Sequence, residues 1–315
     1  MDEPAPHLEQ APPLDPVWIA YEASLPPAPP IVDIQTHKKR YILACNTRNA
    51  ALLTIRDIHL TRNITISDIP FTDSESSRPQ IYRQYVPTIP SSERVSVVYY
   101  HGGGLYVGDL DSEDLTCRRI CIELGIRVFS CHYRTMPDNT PDDALFDATA
   151  LFSHLTSEDK GPFVIVGSSS GGQLAAQVSQ AWTQFTSPAS LKGVLLRCPV
   201  TCNPSTPSSL PQKYQPLHTS LDEPSFHNSV ITATCVDSQR RTFIAPLPLE
   251  ADLEKVVRKL PRHWVQLCTN DLFYSDGACY VDLLKIGGVE VRTDLVVGWP
   301  HTFWLKHPEC KCRFF

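Results

Sequence analysis

From about Arg94 onward, the chain alternates short apolar runs with longer segments whose apolar residues recur every three or four positions. The apolar runs are continuous over about four to six residues, which is typical of strands buried on both faces of a parallel sheet. The segments between them begin near an Asp, Ser or Gly, as helices do. This alternation predicts an α/β fold with a doubly wound, mostly parallel sheet. The strand-like runs are 94–101, 125–133, 162–168, 191–200, 263–271 and 288–298, and the helical segments are 111–125, 141–158, 171–185 and 276–288.

Two stretches interrupt the alternation. The first is a proline-rich opening of about 50 residues, and the second, at about 200–250, is rich in Pro, Ser and Thr. Loops this long are uncommon in a compact domain unless they are functional or disordered. A chain of 315 residues suits one large core. We therefore predict one α/β domain over residues 51–315, with a cap made of the N-terminal segment 1–50 and the insertion at about 200–250.

Composition and charge exclude several classes of function. The net charge is −6 and the sequence has no long run of Lys and Arg, which argues against a nucleic-acid partner. No stretch approaches the roughly 18 to 20 apolar residues that span a bilayer, so we expect no integral membrane association. The opening residues lack the basic start and apolar core of a secretory signal. A cytoplasmic location is the resulting expectation.

The 11 cysteines are interpreted as reduced core thiols because most of them lie in apolar segments. They show no paired CxxC spacing, so the sequence predicts neither a zinc site nor any other cofactor. The last four residues, CRFF, formally match a prenylation pattern. Arg313 stands where that pattern usually has an aliphatic residue, so prenylation is not predicted.

A possible nucleophile lies in the segment VIVGSSSGGQLAAQ, where a strand-like run turns into a helical one. Gly167 and Gly171 flank Ser169 in a G-x-S-x-G pattern. In an α/β sheet this pattern holds a serine on a tight turn at the carboxyl end of a strand, where ligands bind. The alternative is a serine-rich helix cap. Because a strand precedes and a helix follows the pattern, we interpret Ser169 as the nucleophile.

The segment YYHGGGLYVGD supplies candidates for an oxyanion hole. Consecutive glycines after a strand can turn backbone N–H groups toward a developing negative charge without obstruction by Cβ atoms. We expect Gly102 and Gly103 to be donors, with the amide of Ser170 as the third. A plain glycine turn is the alternative. A phosphate loop is disfavoured because the segment has no GKS or GKT signature and no G-x-G-x-x-G.

An acidic residue and a base should follow the serine in the order Asp or Glu, then His. Asp271 comes directly after the strand-like run at 263–271, whereas Asp276 is better explained as a cap of the next helix. His301 follows the last strand-like run, in GWPHTFW. Gly298 and Pro300 can bend the chain there and bring the imidazole over the sheet edge. The sequence therefore predicts Asp271 as the acidic residue and His301 as the base. The alternatives are a helix cap or surface loop residue for Asp271 and a packed histidine for His301.

These motifs resemble the α/β-hydrolase superfamily, specifically its hormone-sensitive-lipase-like branch. The resemblance covers about 81–304 and rests on HGGGLYVGDLDSED, HYRTMPDNTPDDALFDA, GSSSGG, DLFYSDG and GWPHTFW. It implies a Ser169–Asp271–His301 triad, with oxyanion donors at Gly102, Gly103 and Ser170. Ser170 stands where the family usually has Ala. The resemblance extends to fungal small-molecule hydrolases, several of them tied to secondary metabolism.

The function expected from these residues is hydrolysis of small or medium-sized carboxylic esters through an acyl-enzyme. No metal or organic cofactor is implied, and the expected partner is a small ester or thioester. A pathway-specific thioesterase or cyclase would use the same residues. A non-catalytic small-molecule binder is a third hypothesis, which the presence of all three triad residues disfavours. The oligomeric state stays open.

Overall fold

The structure is a computed structural model that describes residues 7–27, 33–73, 77–184, 190–202, 212–215 and 246–307. Its centre is an eight-stranded sheet in the order β1-β2-β4-β3-β5-β6-β7-β8. Strands β3 to β8 run parallel, and β1 and β2 add an antiparallel hairpin at one edge. The strands are β1 Ile64–Thr72, β2 Pro79–Pro87, β3 Ser96–Tyr100, β4 Arg127–Cys131, β5 Phe163–Ser168, β6 Leu191–Arg197, β7 Arg262–Asn270 and β8 Val291–Pro300. The predicted fold class, a doubly wound and mostly parallel α/β sheet, is confirmed.

The six strands predicted from apolar runs correspond to β3 to β8. All five residues of β3 are buried, and it lies between β4 and β5 in the middle of the sheet. The β1–β2 hairpin was not predicted. Most of β1 is partly or fully exposed, and its apolar residues alternate with polar ones instead of forming a continuous run.

Helices cover both faces of the sheet, and the four helical segments predicted from the sequence are all present. The longest of these, α4, begins with a capping box in which Thr140 and Asp143 exchange side-chain-to-backbone hydrogen bonds. α3 ends at Gly125, whose φ of 64° suits a left-handed cap. The helices are α1 Pro16–Ser24, α2 Ile34–Thr54, α3 Asp114–Leu124, α4 Pro141–Glu158, α5 Ser170–Trp182, α6 Tyr274–Ile286 and the short α7 Phe303–Lys306, with 3-10 turns at Ile58–Thr61, Pro248–Glu250 and Val257–Lys259. None of the helices among the described residues has the length and apolarity that a bilayer crossing requires.

The N-terminal segment packs against the carboxyl ends of the last two strands. The amide of Asp15 donates to the carbonyl of Gly298 at 2.9 Å, and the Asn270 side chain donates to the carbonyl of Pro12 at 2.7 Å. Trp18 on α1 is fully buried in a cluster with Trp299 and neighbouring aromatic rings. The described part of the segment therefore buttresses the edge of the sheet that carries His301.

Most of the predicted cap insertion, 203–211 and 216–245, lies outside the described residues, as does the CRFF terminus. Around the insertion, Gln177 and Gln180 of α5 donate to the carbonyls of Pro246 and Pro248. The division into a cap and a catalytic domain stays a prediction.

Candidate active site

Ser169 occupies a strained turn between β5 and α5. Its φ of 54° and ψ of −122° lie in a region that residues with a side chain rarely adopt. The strain is held by backbone bonds on both sides: the amide of Ser169 donates to the carbonyl of Arg197 at 2.8 Å, and its carbonyl accepts from Gln173 at 3.1 Å. The turn, which we call the elbow (residues 168–170), therefore presents the Ser169 side chain at the carboxyl edge of the sheet.

The two glycines of the G-x-S-x-G pattern are required by close backbone packing. A Cβ atom on Gly167 would lie 2.1 Å from the carbonyl oxygen of Gly171. A Cβ atom on Gly171 would lie 2.1 Å from the carbonyl oxygen of Tyr100 and 2.3 Å from that of His101. No side chain fits at such distances, so only glycine lets the elbow approach β3 this closely.

The structure brings Ser169, His301 and Asp271 into one hydrogen-bonded line. Nε2 of His301 lies 2.8 Å from Oγ of Ser169, and Nδ1 of His301 lies 2.7 Å from Oδ2 of Asp271. All three residues are buried, with exposed fractions of 6%, 6% and 1% for the serine, the histidine and the aspartate. The second oxygen of Asp271 accepts the amide of Phe273 at 2.8 Å, which fixes the carboxylate.

The interaction between Asp271 and His301 favours the charged form of the imidazole. Burial by itself lowers the pKa of His301, but the charge of Asp271 and the hydrogen bond to it outweigh burial and raise the pKa to about 9. Asp271 thus stabilises the imidazolium form of His301.

A bent segment after β8 carries His301 to the serine. Gly298 has a φ of 82° and Thr302 a φ of 49°, so the backbone turns sharply on both sides of the histidine. The amide of Gly298 donates to the hydroxyl of Thr269 at 2.8 Å, and Nζ of Lys306 donates to the His301 carbonyl at 2.6 Å. The bend expected at Gly298 is present.

The glycine loop (residues 101–105) lies against the elbow, because a Cβ atom on Gly102 would be 3.3 Å from Cβ of Ser169. The prediction that Gly102 is an oxyanion donor is corrected by its hydrogen bond: its amide donates to Oε1 of Glu113 at 2.9 Å. Among the described residues, the amides of Gly103, Gly104 and Ser170 have no protein acceptor. These three amides are therefore the ones available to a ligand beside Ser169.

Two neighbouring groups have structural roles. His101 stacks on Tyr133 with ring centroids 4.3 Å apart, and burial lowers its pKa. Asp276 was expected to cap α6 but instead accepts the amides of Thr201 and Cys202 at 2.8 and 3.2 Å. Because Asp276 lies inside the first turn of α6, its side chain reaches a neighbouring loop rather than its own helix end.

One group of potential metal ligands occurs in the described part of the chain. Donor atoms of Cys198, Asp271 and His301 lie within 4.8 Å of one another. Two of these three residues form the hydrogen-bonded line to Ser169, so the group coincides with the site described above. Burial holds the pKa of the Cys198 thiol well above its usual range, and the sulfur lies 3.4 Å from that of Cys268.

Sequence reasoning missed Glu113, which contacts both turns of the site, and the role of Ser168, its partner in the elbow. The hydroxyl of Ser168, next to Ser169, donates to Oε2 of Glu113 at 3.1 Å. Glu113 precedes α3 and is 55 residues away along the chain. A sequence motif spans only a few neighbouring residues, so it could not have predicted this contact.

Comparison with known proteins places these features in a family. A sequence model described as alpha/beta hydrolase fold matches residues 97–305. The FAD-linked oxidoreductase pytB of Aspergillus terreus is 30% identical over 70% of this chain, but this chain spans only 28% of that protein. The versiconal hemiacetal acetate esterase of Aspergillus parasiticus is 25% identical over 70% of each chain. The crystal structure of a thermostable esterase from Pseudomonas putida covers 96% of this chain and 93% of its own, with a TM-score of 0.76 and 19% identity.

Proposed function

The chain belongs to the alpha/beta hydrolase fold family, and from that premise we propose that it is a carboxylic ester hydrolase whose nucleophile is Ser169. The observation that carries the proposal is the line of hydrogen bonds from Asp271 through His301 to Ser169, at 2.7 and 2.8 Å. A nucleophile, a base and a group that orients the base are the parts that acyl transfer requires. The strained elbow that presents Ser169 supports the same role.

In the first step, Nε2 of His301 accepts the hydroxyl proton of Ser169 while Oγ attacks the ester carbonyl carbon. Asp271 holds the imidazole with Nδ1 protonated and stabilises the imidazolium that forms. His301 then gives the proton to the leaving alcohol, and an acyl group stays on Ser169. The reverse sequence with water releases the carboxylic acid and restores the hydroxyl.

The negative charge on the carbonyl oxygen is stabilised by backbone amides. We assign this role to Gly103, Gly104 and Ser170, because the amide of Gly102 is already bound by Glu113. Ser170 is the first residue of α5, so the partial positive charge at the helix N-terminus adds to its amide. Each donor in such a site contributes about 3 kcal/mol to stabilising the transition state.

The substrate class we propose is small or medium-sized esters, with an acetate ester as the first probe. Support comes from the Aspergillus parasiticus relative, which is named as an esterase of versiconal hemiacetal acetate. We propose that residues 1–50 and the insertion at about 200–250 limit the size of the acyl and alcohol groups. A thioesterase or cyclase would use the same three side chains, and no described contact favours it.

The experiment that tests the proposal measures turnover of p-nitrophenyl acetate and butyrate by wild type and by Ser169→Ala. We expect the variant to lose at least about 10³-fold in kcat, as removal of a nucleophile does. Ser157→Ala is the matched control, because Ser157 is an exposed serine near the end of α4 that bonds only locally to the carbonyl of His154. It should keep the wild-type rate.

Labelling with a fluorophosphonate gives a second readout that does not depend on the choice of ester. We expect one label per chain on wild type and on Ser157→Ala, and none on Ser169→Ala. A folded wild type that neither turns over these esters nor takes the label would contradict the proposal and favour the non-catalytic binder.

A further inference from the structure

Glu113 is a buried carboxylate that the proposed reaction does not use. It stands at the N-cap position of α3, where an acidic side chain ordinarily accepts hydrogen bonds from the first amides of its own helix. Glu113 makes no such capping bond. It is only 3% exposed, and a buried carboxylate needs partners that replace its hydration. Two of its partners lie in the two turns of the proposed site, and the third, Tyr99, lies on β3.

The two oxygens of Glu113 bind the glycine loop and the elbow separately. Oε1 accepts the amide of Gly102 at 2.9 Å. Oε2 accepts the hydroxyl of Ser168 at 3.1 Å and also that of Tyr99, which lies on β3. The hydroxyls of Tyr99 and Ser168 are themselves 2.8 Å apart. One rigid carboxylate thus joins the turn that carries the nucleophile to the loop that faces it.

The far end of the glycine loop is held by a second contact with the elbow. The amide of Leu105 donates to the hydroxyl of Ser170 at 3.2 Å. The amides at the two ends of the loop, those of Gly102 and Leu105, are therefore both occupied. The amides of Gly103 and Gly104 lie between these two anchors and are left for a ligand.

We infer that Glu113 is a positioning residue of the proposed hydrolase, which holds the glycine loop against the elbow so that the Gly103 and Gly104 amides reach the oxyanion. The inference rests on the proposed function. Glu113 touches none of the reacting atoms, so its effect passes through Gly102 and Ser168. It acts on the geometry of the transition state rather than on substrate binding.

A carboxylate beside a developing oxyanion would oppose the reaction if its charge were unbalanced. Arg197, the residue whose carbonyl accepts the Ser169 amide, supplies a buried positive charge nearby. Burial lowers the pKa of Arg197, and the negative charge of Glu113 opposes that change. The Arg197 guanidinium is packed 3.5 Å from the ring centroid of Trp304. The positive charge of Arg197 therefore offsets part of the negative charge of Glu113 behind the site.

The test compares Glu113→Ala and Glu113→Gln with a matched control, Asp114→Ala. Asp114 is the next residue, is 5% exposed, and accepts hydrogen bonds from Tyr85 and Arg118 rather than from the site. Steady-state kinetics with p-nitrophenyl acetate are measured on the full chain, with the melting temperature as the measure of stability. If Glu113 had only a structural role, its replacement by alanine, like that of Asp114, would lower the melting temperature and leave kcat unchanged.

We expect Glu113→Ala to lower kcat by about 10²-fold with KM within about threefold, because misplacing an oxyanion donor costs about as much as removing one. Glu113→Gln keeps an acceptor for Gly102 and should recover kcat to within about tenfold of wild type, since a neutral acceptor is weaker than a carboxylate. Asp114→Ala should lose stability but keep kcat. If Glu113→Ala is not recovered folded, the glutamine variant carries the test, with a threefold to tenfold drop expected.

A spectroscopic readout tests the contact without any turnover. The chain has 14 glycines, so selective ¹⁵N-glycine labelling gives few amide resonances. The Gly102 amide proton, bound to a carboxylate, should lie downfield in wild type and in Asp114→Ala and move upfield in Glu113→Ala. An unmoved resonance, or an unchanged kcat in a folded Glu113→Ala, would overturn the inference. A wild type without ester turnover would instead overturn the proposed function, and with it the catalytic part of this inference.

Discussion

The Nε2 atom of His301 lies 2.8 Å from Oγ of Ser169, although 132 residues separate the two along the chain. The contact depends on the carboxyl ends of β5 and β8, which β6 and β7 separate in the sheet. Asp271, after β7, completes the line. Because the site forms only when the whole sheet is in register, a loss of activity in any variant is informative only beside a measurement of folding.

The pair of Asp271 and His301 predicts an unusual pH profile. The neutral imidazole is the base, so kcat/KM should rise with pH, and its midpoint reports the pKa in the free enzyme. Since Asp271 raises the pKa of His301 to about 9, the rise should lie well above the 6.5 of an ordinary histidine. In Asp271→Asn this cause is lost, so the midpoint should move to lower pH. The variant should also lose about 10⁴-fold in kcat, because the tautomer of the imidazole is no longer fixed.

Rates with p-nitrophenyl acetate between about pH 5 and 10 check this prediction. Asp276→Asn is the control, because Asp276 is an equally buried aspartate that binds backbone amides of residues 201 and 202. For Asp276→Asn, kcat/KM should rise with the same pH midpoint as in wild type, even if the variant is less stable. An Asp271→Asn midpoint equal to that of wild type would show that another group sets the pKa.

Gly171→Ala tests the packing of the elbow on β3. The added methyl group would lie 2.1 Å from the carbonyl oxygen of Tyr100, and because the obstacle is backbone, the elbow or the strand must move. We expect the measured kcat to fall by more than about 10²-fold, either because less of the protein is folded or because Ser169 is displaced. Gly193→Ala is the control, since the nearest atom there is 3.5 Å away. Thermal unfolding and kcat of the two variants should differ sharply, and equal effects would contradict the packing argument.

Lys306 should make the stability of the protein depend on pH. Burial lowers the pKa of its amino group from 10.5 to about 7. Between these values the unfolded chain binds a proton that the folded chain lacks, so this group makes the free energy of unfolding rise with pH from about 7 to 10.5. Below pH 7 the amino group is charged in both states, and its burial destabilises the folded state by the full amount.

Lys306→Met removes that titration. The difference in unfolding free energy, wild type minus variant, should therefore increase between pH 7 and pH 9, as measured by urea denaturation at fixed ionic strength. Taking the difference cancels the opposite trend expected from His301, whose raised pKa contributes stability below pH 6.5 that is lost as pH rises to about 9. A difference that stays flat with pH would show that the Lys306 amino group keeps an ordinary pKa.

The sequence predicted the parallel strands because each contains a continuous apolar run. In β3 that run reflects full burial in the middle of the sheet, whereas in the edge strand β8 it includes the exposed Leu295 and Val297. The sequence did not predict β1, where an exposed edge strand contains Asp68 and Pro70 and lacks such a run. The residues brought to Ser169, namely Asp271 and His301, were predictable because each directly follows a strand, and strand ends share one edge of a parallel sheet.

The glycine loop is the part of the site that the sequence predicted least well. Glycines predict that amides can turn freely, but the direction of each amide depends on partners far away in the sequence. Gly102 was predicted as a donor, together with Gly103, because consecutive glycines follow the strand, but in the structure its amide donates to Glu113. Nothing in the local sequence of Glu113 distinguishes it from an ordinary residue at the start of α3, because its partners lie on β3, the glycine loop and the elbow.

Ser170→Ala separates the two groups that Ser170 offers to the site. Its amide, proposed as an oxyanion donor, is unchanged by the substitution, whereas its hydroxyl, which accepts the Leu105 amide at 3.2 Å, is lost. A neutral hydrogen bond of this kind contributes about 1 kcal/mol, so we expect kcat to fall by less than about tenfold. Ser169→Ala, one residue away, should lose at least about 10³-fold under the same conditions. Turnover of p-nitrophenyl acetate checks both variants, and a loss above about 10²-fold in Ser170→Ala would contradict this prediction and show that the hydroxyl is needed to place the glycine loop or takes part in the reaction.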